Sequence, residues 1–296
     1  MALPTDAEIF EKAMSEAADW GPPRCRFVEA ALALDGLSYE NPETRDRYVE
    51  ELFLNQQDFG PDGPTEADRK QAYGFASAMS SCGITTQAIW AAAGVDLAYL
   101  RKPYKNRIGS AVTFEYKYAK EVGAWVNAMP WKRGTPFPEA GDAMIIGDNT
   151  PAFARGSSPT YQHELNVICW VEGPRGALMG GLDGGQPGIA IRTRGLVEVF
   201  PNGGDLGELW CSVVAPDGSL PLGADGRPLS GRRALGFTDV TRLPFVDNPP
   251  ACQGGGLLRT LAVVAGGVAV GLGALAVTGN CPCDSIKKGL RKISPF

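Results

Sequence analysis

The chain has 296 residues, 44% of them hydrophobic and 21% charged, with Lys+Arg 28 against Asp+Glu 33. That length suffices to bury a core in one large domain or two small ones, and the composition excludes a wholly disordered or collagen-like chain. The charge is uneven: residues 257–296 carry +4, leaving −9 on the first 256, and an acidic body argues against nucleic acid as a partner.

Residues 1–14 lack both a basic and an apolar block, so no Sec signal peptide is visible. Thr5-x-x-Glu8 reads as a capping box opening a helix to about Trp20. Pro22-Pro23 breaks it, and Arg24–Leu34 reads as a second helix. Asn41-Pro42 starts a third, to about Gln56, and Thr65-x-x-Asp68 a fourth, to about Ala78. Ser80-Ser81 then caps a helix that carries Cys82 in its first turn and stops at Gly94; Ser110–Val122 is a further amphipathic helix. Beyond Pro130, Pro136 and Pro138 the pattern changes to strands. They are expected at Ala143–Gly147, Leu165–Val171, Ala177–Gly181, Ile189–Arg192, Leu196–Phe200 and Trp210–Ala215. Helices first and strands afterwards read as α+β.

The residues 248–256 form a Pro/Gly linker, and 261–277 are drawn only from Leu, Ala, Val and Gly. With its flanks, the segment 257–278 approaches the ~20 residues of a membrane-spanning helix. Gly267-x-x-x-Gly271 suits close helix pairing in lipid, and a basic tail over 279–296 follows. A membrane-associated or secreted protein is expected from this segment.

His163 is the only histidine, which excludes the HExxH, His₃ and Cys₂His₂ zinc sites. Seven cysteines leave at least one thiol unpaired, and Cys281-Pro282-Cys283 has no second pair at matching spacing. No metal and no cofactor is expected.

A thiol at a helix N-terminus is activated because the helix dipole favours the thiolate, and Cys82 alone has that context. His163 sits where a polar loop meets an apolar strand, a placement that suits a general base. A third group must orient the imidazole. With Glu172–Gly176 as a hairpin turn, residues 184–186 fall opposite His163, which brings Asp183 and Gln186 within reach. Asp183 ranks first because a carboxylate also balances the imidazolium charge.

The segments Ser81-Cys82-Gly83, Gly141-Asp142 before Ala143–Ile146, His163–Ile168 and Leu182–Gln186 occur in an order that resembles the NlpC/P60 and CHAP families of papain-like cysteine hydrolases. The resemblance covers roughly residues 65–200. It implies a papain-like α+β fold over 65–247, with a helical N-terminal region over 1–64 packed on an antiparallel sheet and a hydrophobic C-terminal helix. It also implies hydrolysis of an amide in a peptidoglycan peptide, with Cys82 as nucleophile, His163 as base and Asp183 or Gln186 as orienting group. Two other readings compete: a catalytically silent peptide- or glycan-binding module tethered to a membrane, and an acyltransferase of the same fold.

Overall fold

The computed structural model describes residues 2–56, 59–78, 80–97, 111–147, 162–185, 188–201 and 203–252. Helix α1 (Asp6–Glu16) opens on the capping box, with Thr5 and Glu8 each bonding the other's backbone N–H. It tightens into a 3₁₀ turn over Ala17–Trp20, and Gly21 at φ 79° redirects the chain. Helix α2 (Pro22–Leu32) begins with both prolines, because the first turn has no use for their missing N–H groups. Helix α3 (Arg45–Val49) continues as a π-helical turn over Glu50–Leu54. Helices α4 (Glu66–Ala78), α5 (Cys82–Ala92) and α6 (Ala111–Glu121) follow.

Eight antiparallel strands come next: β1 (Trp125–Asn127), β2 (Trp131–Lys132), β3 (Ala143–Gly147), β4 (Gln162–Gly173), β5 (Gly176–Gly184), β6 (Ile189–Val199), β7 (Leu206–Val213) and β8 (Arg232–Thr238). Strands β3 to β7 pair in sequence. Strand β8 then pairs with β3 on one side (Ala143 opposite Thr238) and β7 on the other (Trp210 opposite Arg233), closing a six-stranded barrel. The two extra strands continue it, β1 beside β8 and β2 beside β7.

This closure overturns the expected papain-like arrangement of helices on a sheet. A sheet whose last strand bonds to its first has no edges, so its inner face closes on itself. Met144, Leu165, Met179, Leu209 and Phe237 meet in that cluster. The opposite face of the same strands, through Ile168, Leu182 and Ile191, packs against Ile9, Phe27, Ile89 and Trp90 of the helices.

A disulfide joins Cys25 of α2 to Cys252 beyond β8, across 227 residues, while Cys82, Cys169 and Cys211 are free and buried. The expectation of a transmembrane helix is not met either. Among the described residues no helix is long and apolar enough to cross a membrane, and the segment 257–278 lies outside them.

Candidate active site

Cys82 is the first residue of α5, and its position depends on how closely that helix approaches β5. A Cβ at Gly184 would stand 2.3 Å from Thr85 Oγ1 and 2.9 Å from the Ser81 carbonyl oxygen, so only glycine admits the helix start. The Ser81 hydroxyl fixes the same junction by donating to the Gly185 carbonyl at 3.0 Å.

Strand alternation sorts the neighbouring side chains. Asp183 lies directly opposite Leu165, so it is the diagonal neighbour of His163 on the barrel face of β4. His163 Nε2 and Asp183 Oδ1 are 3.2 Å apart. The Cys82 thiol also bonds the imidazole, which favours the charged form of each. On its far side Asp183 Oδ2 accepts from Arg194 Nη2 of β6. Cys82, His163 and Asp183 are therefore brought into one hydrogen-bonded row. Gln186 lies outside the described residues.

The charges in this row reinforce one another. Burial alone pushes the Cys82 thiol up, but the His163 bond and charge, the Glu164 backbone amide and the Ser80 hydroxyl outweigh it, and the net direction is down. Burial opposes the imidazolium too, yet its bonds to Asp183 and Cys82 lift His163 to about 9. Asp183 falls below its ordinary 3.8, because His163 and Arg194 overcome its burial. The arrangement favours a thiolate–imidazolium pair at neutral pH.

Glu164, next in the chain, alternates to the helix-facing side of β4. There its carboxyl meets Glu115 of α6, close to Cys82. Both side chains are essentially fully buried, with the Gln87 side chain beside Glu115. Burial foremost, with the charge of Cys82 and, for Glu164, of Glu115, raises both carboxyls well above their ordinary value. Burial favours the neutral form of both.

Gly141 and Asp142 have a structural task. Gly141 at φ 94° lets the chain pass beside Val240 and Phe27. The Asp142 carboxylate then receives Arg24 at 2.8 Å, the Glu139 amide at 2.8 Å and the Val240 amide at 3.2 Å.

Sequence reasoning missed Arg194, Glu115 and Glu164. A sequence break at Thr193–Gly195 hides the strand that carries Arg194, and with it the buried charge that an arginine on the barrel face of an unbroken strand signals. Gly195 lies within β6 because a Cβ there would stand 2.3 Å from Leu220. No local signal marks the two glutamates, since their burial depends on α6 meeting β4.

No protein-family model, curated protein or solved structure matches this chain.

Proposed function

We propose that the protein is a cysteine hydrolase that cleaves amide bonds in a peptide through Cys82, His163 and Asp183. The observation that carries this reading is the row of Cys82 at a helix start, the imidazole of the sole histidine, and the Asp183 carboxylate 3.2 Å from its Nε2. The Cys82 thiolate attacks the scissile carbonyl carbon, and the unpaired N–H groups of the first turn of α5 offer donors to the developing oxyanion. His163, as imidazolium, gives its proton to the leaving amine, and a thioester forms at Cys82. Neutral His163 then takes a proton from water, whose oxygen attacks the thioester. The acid leaves, and the thiolate–imidazolium pair is restored. Asp183 keeps Nε2 protonated and stabilises the cation throughout.

The substrate class proposed is a peptidoglycan peptide, supported by the likeness of the short motifs around Cys82 and His163. Peptidoglycan fragments incubated with wild type and with Cys82→Ala, then analysed by mass spectrometry, test it. Wild type alone should add one water and release a new amine. Identical fragment masses in both samples would remove the substrate, and unchanged cleavage by Cys82→Ala would remove the nucleophile.

A further inference from the structure

Arg194 raises a question that packing does not answer. It stands opposite Met179 of the barrel cluster, on the barrel face of the wall, with its side chain 13% exposed. Asp183 lies opposite Ala190, so the arginine reaches along the wall from the Met179 level to meet Asp183 Oδ2. A guanidinium removed from water costs several kcal/mol unless well paired, and an apolar side chain would often serve stability as well or better. Asp183 is its one carboxylate partner among the described residues, and its Nε has no acceptor. The arginine therefore has one function-bearing contact, and it falls on the group that orients His163.

We propose that Arg194 is a positioning residue that clamps Asp183 Oδ2, turns Oδ1 toward His163, and supplies the fourth charge of a balanced row. The proposal rests on the cysteine-hydrolase reading. Reading along the row, the Cys82 thiolate, His163 imidazolium, Asp183 carboxylate and Arg194 guanidinium sum to zero. Without the guanidinium the same buried row carries a net negative charge. A thiolate next to that charge is harder to form, and an imidazolium next to it is harder to lose.

The other titratable groups around the row do not duplicate this role. Burial pushes the carboxyls of Glu164 of β4 and Glu115 of α6 toward their neutral forms, and the Cys211 thiol of β7, beside Arg194, is pushed up to about 12 by burial. Arg194 is accordingly the one permanent cation in contact with the row among the described residues. Its planar fork also fixes the carboxylate rotation, which a lysine ammonium does less well.

The test is the pH dependence of Cys82 alkylation by iodoacetamide in the full chain, followed by peptide mass spectrometry, for wild type, Arg194→Gln, Arg194→Met and Arg194→Lys. Removing a unit charge across this distance should move the midpoint upward by ~1 pH unit in the Gln and Met variants. Arg194→Lys should restore the midpoint while the alkylation rate stays below wild type. A merely structural role would lower the melting temperature and leave the midpoint in place. If Arg194→Met does not fold, Arg194→Gln against Arg194→Lys decides on the same readout. A wild-type midpoint below the ordinary thiol range with an unshifted Arg194→Gln midpoint would overturn this inference alone. A wild-type midpoint in the ordinary thiol range would remove the hydrolase reading and the inference with it.

Discussion

His163 and Glu164 are consecutive residues of one strand, the first largely and the second fully buried, and they end in opposite electrostatic settings. On the barrel face His163 meets Asp183 and Cys82, and Asp183 in turn meets Arg194, so every charge has a neighbour of opposite sign. On the helix face, among the described residues, Glu164 meets another carboxyl, Glu115, and the nearby thiol. Burial is the first influence on all of these groups, yet Asp183 is driven down while both glutamates are driven up. Partners brought by other elements decide the charge state, and the strand supplies only the alternation that separates them.

The sharpest break in this comparison is at the thiol itself. Cys82→Ser should lose several orders of magnitude in turnover while the chain stays folded, because a serine hydroxyl forms no comparable ion pair with His163. Far-UV circular dichroism and steady-state rates check both halves of that statement.

Asp183→Ala comes next, with an expected loss of at least ~100-fold in kcat/KM, on the order of 2.7 kcal/mol of transition-state stabilisation. The same change strands Arg194, and breaking a buried pair costs ~3–5 kcal/mol of stability. Because the folded-state pKa of Asp183 lies below 3.8, its contribution is present above that value and is lost as pH falls through the lower one. Melting curves of wild type and variant should therefore converge at acid pH.

Gly184→Ala probes the junction that seats Cys82. The added methyl meets Thr85 and the Ser81 carbonyl, so the start of α5 must shift. A misplacement near ~1 Å costs about 100-fold in rate at a site of this kind, and overpacking adds ~1–3 kcal/mol of instability. Rates close to wild type would place the nucleophile elsewhere.

Much of this site was legible in the sequence, for reasons that are local. A downstream glycine marked the end of the helix of Cys82, although Ser81 donates to the Gly185 carbonyl and makes no cap bond. A hairpin turn within Glu172–Gly176 brings Asp183 near His163, but the register that sets it diagonal to His163 comes from a shift between Val167 and Cys169 that left no local trace. Strand β3 fell at Ala143–Gly147, as its apolar run and Gly-Asp start suggested. Barrel closure was not legible. Strand β8 begins with Arg232 and Arg233, which hides its alternation, and its pairing with Ala143 spans nearly a hundred residues without a local trace. The proline pair reads as a stop in the sequence because its other use, at the first turn of α2, depends on where Gly21 turns the chain.

The smallest expected effect belongs to the other face of β4. Glu164→Gln keeps the shape of the protonated side chain, so kcat/KM at neutral pH should stay within a few-fold of wild type. Since the folded pKa of Glu164 is raised above 4.5, wild-type stability is greatest below that value and falls as pH rises through the higher one. The variant should lose less stability over that range, so its melting curve rises relative to wild type as pH increases, opposite in sign to Asp183→Ala. Parallel curves for the two variants would dissolve the contrast between the faces.

The central claim is that His163 is held as an imidazolium between a thiolate and a carboxylate. Because the chain has one histidine, the imidazole signals of untagged, isotope-labelled protein need no assignment by mutagenesis. An NMR titration of that ring should show it cationic through neutral pH and titrating near 9, with a lower midpoint in Cys82→Ala. A wild-type ring that titrates at the ordinary 6.5, unchanged when Cys82 is replaced, would contradict the account.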